Sequence, residues 1–361
     1  MTAAVLGGLP VRHGEPLADR TTLRVGGPAR DLVEVTTTEE LVEVVRALDA
    51  AGEPVLVLGG GSNLLVGDAG FEGSVVAVAT TGVAQDVASC SGAMVTAAAG
   101  EPWDPFVALT VDRGWSGMEA LSGIPGSVGA TPIQNVGAYG AEVGQHVTTV
   151  RTLDRSTGQV RTLFAVECGF GYRTSVFKKH PGRYLVLDVT FQLRLASLSA
   201  PVRYAELART LGVEVGARVP AAEVREAVLA LRRSKGMVLD DADPDTWSAG
   251  SFFTNPLLPA DAAAALPEAA PRYPQPDGRV KTSAAWLIEH AGFGRGWGDG
   301  PARVSTKHSL AVTNRGSARA ADVLALARTV RAGVERAYGV TLEPEPVLVG
   351  CSLDADVAGV S

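Results

Sequence analysis

The serine in "WSAGSFFTNP" (Trp247 to Pro256) raises the first chemical question. Ser251 has no histidine within fifty residues upstream or thirty downstream. It is not in a G-x-S-x-G elbow either, so a hydrolase triad is not supported. Two readings stay open: a turn or helix-capping hydroxyl, or a proton donor. A donor serine needs no neighbouring base if its acceptor is itself a carbanion or enolate. "ECGFGYRTSVFKK" (Glu167 to Lys179) sets Tyr172 and Arg173 among small residues. A guanidinium there can grip a carboxylate through two parallel hydrogen bonds, or simply lie in solvent. "LEPEPVLVG" (Leu342 to Gly350) places Glu343 and Glu345 at i and i+2, on one face of an extended segment. They are either solvated carboxylates, or one of them is a general acid or polariser.

Two glycine-rich stretches could serve a ligand through backbone. "LGGGSNLLV" (Leu58 to Val66) puts three glycines after an apolar strand. It is neither G-x-G-x-x-G nor a P-loop. It reads as a tight turn or as a nest of N–H groups for an anion. "EALSGIPGSVGATPIQNVGAYGAE" (Glu119 to Glu142) is too rich in glycine to make a core. It is suited to presenting backbone donors to a diphosphate or a flat ring.

The elements that must position these groups follow from periodicity. "DLVEV", "TTEELVEVVRALDAAG" and "PVLVLGGGSNLLV" read as a strand–helix–strand unit over 31–67, with apolar Leu41, Val44, Val45 and Leu48 at helical spacing. Over 73–195, "SVVAVAT", "AMVTAAAG", "VTTVRTLD", "GQVRTLF" and "YLVLDVTFQLRL" read as strands, interrupted by the helix "PWDPFVALTVDRG". "ASLSAPV" at 196–202 is a boundary candidate. Three amphipathic helices follow: "AAEVREAVLALRRSKG", "KTSAAWLIEHAG" and "ARAADVLALARTVRAGVERAYG". Residues 257–280, rich in proline and alanine, read as a surface excursion or mobile loop.

Composition bounds the function. The 361 residues suggest about two to three domains. A net charge of −7 argues against a broad basic surface for nucleic acid. No run of eighteen apolar residues predicts a membrane span, and the N-terminus lacks a signal-peptide pattern. Cys90, Cys168 and Cys351 are far apart and odd in number, and the five histidines are scattered; neither a disulfide framework nor a metal site is expected, and a reducing cytoplasm fits. His13 and His146 read as surface histidines.

Taken together and in order, "TTLRVGGPA", "LGGGSNLLV", "SGIPGSVGATPIQNVGAYGAE", "GYRTSVFKK", "AGSFFTNP", "YPQPDGRVKTSAAWLIE" and "LEPEPVLVG" closely resemble the UDP-N-acetylenolpyruvoylglucosamine reductases (MurB) of bacterial cell-wall synthesis. The resemblance covers roughly residues 15–350 and is to the form with a substrate-covering tyrosine loop. It implies an α+β chain with a two-part FAD-binding region of the vanillyl-alcohol-oxidase (PCMH) type, 15–72 and 73–195. An α+β substrate-binding domain, 200–350, would follow. It implies FAD and NADPH as cofactors, and UDP-N-acetylglucosamine enolpyruvate as the substrate reduced to UDP-N-acetylmuramate. Hydride would pass from flavin N5 to the enol carbon. Ser251 would give the proton; Arg173 and a protonated Glu345 would hold the aci-carboxylate.

The same resemblance places FAD contacts at Gly59, Gly60, Gly61, Ser62, Asn63 and Leu64. A second group is Ser122, Gly123, Ile124, Pro125, Gly126, Ser127, Gly129 and Ala130. A third is Gln134, Asn135, Gly137, Ala138, Tyr139 and Gly140. Tyr172 and Arg173 would contact substrate, with Tyr204 covering it and Lys235, Asn255, Tyr273 and Lys281 towards its UDP or carboxylate end. Two departures stand out. "GMVLDDADPDTW" lengthens the spacing between Lys235 and Ser251, and Pro346 follows Glu345, so strand pairing there should start one residue later. The implied enzyme is a cytoplasmic monomer with no nucleic-acid or membrane partner. Two other readings are an FAD-dependent oxidase of the same superfamily acting on a sugar or alcohol, and a non-catalytic flavin- or nucleotide-sugar-binding protein.

Overall fold

The computed structural model describes residues 5–354. By internal packing the chain forms two units. The first takes the residues up to Glu15, Ala29–Gly60 and Glu72–Ser234; the second takes Pro16–Pro28, Gly61–Phe71 and the chain from Lys235 onward.

In the first unit, the helical spacing of Leu41, Val44, Val45 and Leu48 gives the helix Thr38–Ala50. A capping box starts it: Thr37 Oγ1 accepts from Glu40 N, and the Glu40 carboxylate accepts from Thr37 N. The four apolar side chains pack on Val33, Val35 and Val76. These belong to a five-stranded sheet in the spatial order Val5–Leu6, Leu9–Pro16, Pro28–Val35, Phe71–Val78, Val55–Leu58. Val55–Leu58 runs parallel to Phe71–Val78, so the strand–helix–strand crossover skips one position. "SVVAVAT" therefore completes this first sheet.

A second, antiparallel sheet has the order Gln159–Phe164, Val147–Asp154, Tyr184–Leu195, Gly92–Ala98, Val83–Ala88. The edge strand Val83–Ala88 is absent from the sequence reading because its "VAQDVA" is largely exposed and has no apolar run. Trp103 and Phe106 of the helix Trp103–Asp112 meet Phe191 of the sheet, with ring centroids 6.1 and 5.3 Å apart. The helices Ala205–Leu211 and Ala221–Ser234 share a small core of Val202, Leu207, Ala208, Val224 and Val228, with Tyr139 against it. Residues 200–234 thus pack with the first unit.

In the second unit, Ser248–Ser251, Ala311–Asn314 and Ala302–Val304 form an antiparallel sheet. Its core joins Phe252 and Phe253 to Leu287 and Ile288 of the helix Ala284–His290, and to Val323, Ala327, Val330 and Val334 of the helix Ala320–Tyr338. Two features depart from expectation or refine it. Residues 257–280 are not a plain surface excursion. The strands Leu257–Leu258, Val280–Lys281 and Tyr273–Pro274 make a small sheet, and Ala263, Leu266 and Ala270 enter the core. Arg272 supplies what the periodicity could not reveal: its guanidinium donates to the carbonyls of Ala263, Leu266, Pro267, Glu268 and Ala270. The added stretch before Ser251 is likewise tied down. Buried Asp245 accepts from Thr306 N, Thr306 Oγ1 and Arg315, and Asp243 pairs with Lys307.

The strand Val147–Asp154 ends on a fully buried carboxylate. Asp154 accepts from Arg183 Nη2 at 2.8 Å and from Ser156 Oγ at 2.6 Å. The Arg183 hydrogen bonds, then that of Ser156, bring its pKa from 3.8 to about 2. A carboxyl depressed on folding stabilises above its unfolded pKa and loses that contribution as pH falls through the folded value. Asp154→Ala should cost about 2 kcal/mol at neutral pH. In urea titrations its deficit should shrink as pH falls from 3.8 towards about 2.

Candidate active site

In the first unit the glycine segments meet backbone to backbone. A Cβ on Gly60 would stand 2.7 Å from Gly126 Cα, and one on Gly59 would stand 2.6 Å from Ser127 Oγ. At Gly60 the neighbour is backbone, so no side chain fits there without moving main chain, and the strand end after Val55–Leu58 and the loop 122–127 form a cradle of bare main chain. The loop is stitched down on its far side. Trp103 N donates to Gly126 O, Val128 N to Glu101 O and Gly129 N to Ala99 O, at 2.8–2.9 Å. Ser122 and Ser127 are buried here, while Ile124, Pro125 and Gly126 are half-buried and Ala130 is exposed.

One carboxylate missed by the sequence reading holds this loop. Asp104 Oδ1 accepts from Gly123 N at 2.6 Å, and Arg225 grips both oxygens at 2.6 and 2.9 Å. Burial alone would raise this carboxyl's pKa; the bonds from Arg225 and Gly123 N hold it below its ordinary value. Arg232 lies seven residues beyond Arg225, on the same helical face, and its charge also reaches Asp104. Burial pulls the Arg232 guanidinium down to about 10 and pushes the nearby Tyr139 phenol up to about 12. An acid in the first turn of the helix before the glycine-rich run was the available signal.

Arg173 sits at the tip of a two-residue hairpin. Gly171 N donates to Thr174 O and Thr174 N to Gly171 O, leaving Tyr172 and Arg173 as the central pair. Arg173 has φ 51°, a left-handed conformation that costs a branched or long side chain energy and marks a functional hypothesis. Asn135 and Tyr139 are also left-handed, at φ 48°. Buried Asn135 ties the pieces together: its Nδ2 donates to Glu142 and to Gly171 O, and its Oδ1 accepts from Gly144 N. Arg173 Nη2 donates to Gly137 O at 3.0 Å. Gln134, Gly137 and Ala138 are half-buried in the same loop, and Gly140 is exposed at its turn. Tyr204, 46 % exposed, meets Tyr139 edge to face at 5.6 Å.

In the second unit, segments nearly three hundred residues apart in sequence are laid side by side. Leu64–Val66 pairs in parallel with Val347–Val349, Val347 N donates to Asn63 O, and Asn63 Nδ2 donates to Glu345 O. Gly61 O accepts from Thr22 N, and Ser62 is half-buried beside them. Pairing does start just after Pro346, as expected. Glu345 N donates to Phe252 O at 2.9 Å, and Thr254 N donates to Glu343 O. The Ser251 segment and the Glu345 segment are therefore adjacent antiparallel neighbours. Glu343 is exposed and Glu345 half-buried, which separates the two carboxylates. Ser251 ends a strand rather than capping a helix; it pairs with Ala311 and is followed by fully buried Phe252 and Phe253. Among the described residues its hydroxyl has no hydrogen-bond partner.

The remaining positions divide clearly. Tyr273 and Lys281 are direct cross-strand partners, with the ammonium 5.9 Å from the ring. Asn255 Oδ1 accepts from Ala284 N at the start of a helix, which leaves its amide N–H groups as its donors. Lys235 is half-buried just beyond the helix Ala221–Ser234 and opens the second unit. His13 is exposed and bonded to Asp31. His146, expected on the surface, is instead half-buried with its ring against Gly117, and burial lowers its pKa. Among the described residues no group of three His, Cys, Asp or Glu could hold a metal ion, and no helix is long and apolar enough to cross a membrane.

Residues 29–163 match the FAD binding domain family, over the region that contains the bare glycine cradle. The cradle and the match define a flavoprotein with an α+β FAD-binding region. Residues 243–349 match the C-terminal domain of UDP-N-acetylenolpyruvoylglucosamine reductase, which favours a reductase over the oxidase alternative. The chain is 61 % identical over 341 residues to the enzyme of that name from Cutibacterium acnes, covering 94 % of this chain and 90 % of the relative. It is 58 % identical to that from Thermobifida fusca, covering 94 % and 98 %. The solved structure of the Thermus caldophilus enzyme superposes with a TM-score of 0.64 at 28 % identity, covering 94 % of this chain and 98 % of that one. The chain belongs to the UDP-N-acetylenolpyruvoylglucosamine reductase family and is an FAD- and NADPH-dependent oxidoreductase of cell-wall synthesis.

The Asp104 clamp makes a direct prediction. Asp104→Ala should weaken FAD binding about tenfold, the equivalent of one buried charged hydrogen bond, with little change in the far-ultraviolet spectrum. FAD titration of the apoprotein, followed by flavin fluorescence, measures it.

Proposed function

We propose that this chain reduces the enolpyruvyl ether of UDP-N-acetylglucosamine enolpyruvate with Arg173, Ser251 and Glu345 acting on the enolpyruvyl group. The observation that carries this reading is the hydrogen bond from Glu345 N to Phe252 O, which sets the Glu345 and Ser251 segments side by side. When bound, FAD carries hydride from NADPH to the terminal enol carbon. Negative charge then develops on the carbon next to the carboxylate and spreads into it. Arg173 meets that carboxylate with its guanidinium fork, and the left-handed hairpin tip fixes the approach of the fork. Glu345 hydrogen-bonds the same group. Ser251 delivers its hydroxyl proton to the charged carbon, which is basic enough to take it without a histidine. Its buried neighbours Phe252 and Phe253 hold the strand end in place.

FAD would lie on the backbone of Gly59 to Leu64, Ser122 to Ala130 and Gln134 to Gly140. Tyr172 and Tyr204 would border the substrate, and Lys235, Asn255, Tyr273 and Lys281 would reach its UDP or carboxylate end. FAD-binding parts at 15–72 and 73–195 and a substrate part at 200–350 are the proposed division; the family matches at 29–163 and 243–349 fall inside it, while residues 200–234 pack with the first unit. The enzyme would work as a monomer in the cytoplasm, feeding wall growth and hence cell shape and division; its three free cysteines fit a reducing compartment.

The purified protein should show a flavin spectrum, and its NADPH oxidation should depend on UDP-N-acetylglucosamine enolpyruvate. NADPH oxidation indifferent to that substrate would sink the reading. Ser251→Ala should leave flavin reduction by NADPH intact and slow reoxidation by substrate about a thousandfold. Stopped-flow of the two half-reactions separates them, and a collapse of the first would exclude the proton-donor role. Arg173→Lys should also lose about a hundredfold or more in kcat/KM, since a point charge cannot reproduce a bidentate grip.

A further inference from the structure

A cavity of about 820 Å³ opens in the first unit at the end of its second sheet. It lies between the turn before Gly92–Ala98, the end of Tyr184–Leu195 and residues 200–203. None of Gly59, Gly60 or residues 122–130 lines it, but Tyr139 and Gly140 do. The cavity is therefore distinct from the glycine cradle and shares a wall with the loop beside it.

The charge around it is one-sided. Arg194, Arg203 and Arg218 line it, all exposed, and among the described residues none of the three forms an ion pair. Arg218 only donates to Ser199 O, at 3.2 Å. In a chain of net charge −7, whose other arginines repeatedly pair with Asp or Glu, three uncompensated guanidiniums about one cavity are out of pattern. The one lining carboxylate, Glu119, is 2 % exposed and committed to the wall: Oε2 accepts from Gly117 N and Oε1 from Ala200 N. His146 completes the lining and is kept towards its neutral form by burial.

We propose that this cavity is a second ligand site, which takes a phosphorylated small molecule of nucleotide size with its phosphates on Arg194, Arg203 and Arg218. Guanidinium forks match phosphate oxygens two at a time, and cavities of about 300–1,000 Å³ hold ligands of that size. Because Tyr139 and Gly140 form part of the wall, occupancy bears on the loop that also positions Asn135 and Arg173.

A built-in reporter tests the site without using catalysis. Cys90 is exposed and lines the cavity, whereas Cys168 is buried and Cys351 is half-buried with its thiol pKa raised by burial. The rate of Cys90 alkylation in the FAD-loaded protein is measured with ADP and, separately, with inorganic pyrophosphate. Either anion should slow alkylation at least about fivefold at millimolar concentration. Stronger protection by ADP assigns the site to nucleotides, and equal protection assigns it to free phosphate anions. In Arg194→Gln and Arg218→Gln, both at exposed positions, the protecting concentration should rise about tenfold while the flavin spectrum is retained. No protection at about 10 mM of either anion, or protection that survives both substitutions, overturns the proposal. This readout stands even if the reductase mechanism above fails.

Discussion

The close approach of Gly59 and Gly60 to Gly126 and Ser127 is the constraint on which the cofactor half depends. At Gly60 an added Cβ would stand 2.7 Å from Gly126 Cα, backbone that cannot move aside as a side chain can. Main chain held this way offers N–H groups without the entropy cost of ordering long side chains. A bare loop cannot fix its own shape, however. That work is displaced to Asp104 and Trp103, which grip the loop from behind through its own amide and carbonyl groups, and to Arg225, which holds the Asp104 carboxylate. The loop leaves its main chain bare, and its rigidity comes from residues outside it.

Arg173 faces the same problem and solves it differently. Its fork is useful only if presented at a fixed angle, and a flexible loop would waste it. A tight hairpin with a left-handed residue at its tip gives that angle at a cost in backbone energy. Asn135 offsets the cost by bonding the hairpin carbonyl and the neighbouring loop together.

The longer helices, the main strands and the chemistry of the separate motifs were legible in the sequence because each is written locally. Leu41, Val44, Val45 and Leu48 spell a helix face, and "GSFF" and "LEPEP" carry their residue types openly. What was not legible depends on distant partners or on a missing pattern. Asp104 looks like an ordinary first-turn acid until Gly123 and Arg225 are placed around it. Residues 257–280 read as loose because their order comes from very short strands, three scattered core side chains and one arginine bonded to five carbonyls. His146 looked solvated because nothing nearby in sequence predicts that Gly117 will pack on its ring. Glu343 and Glu345 could not be told apart until the fold left Glu343 exposed and Glu345 half-buried.

The strand Leu64–Val66 finds its partner in Val347–Val349, almost at the other end of the chain. During synthesis those early residues leave the ribosome long before the strand they pair with exists. The second unit also draws on Pro16–Pro28, so its earliest pieces wait for nearly the whole chain. The first unit can condense from residues up to 234 as they emerge, while the second waits for residues as far along as Val349. The part of the molecule that carries Ser251 and Glu345 is therefore the last to form. A chain stopped before Val347 would hold the glycine cradle without the partner strand of Leu64–Val66.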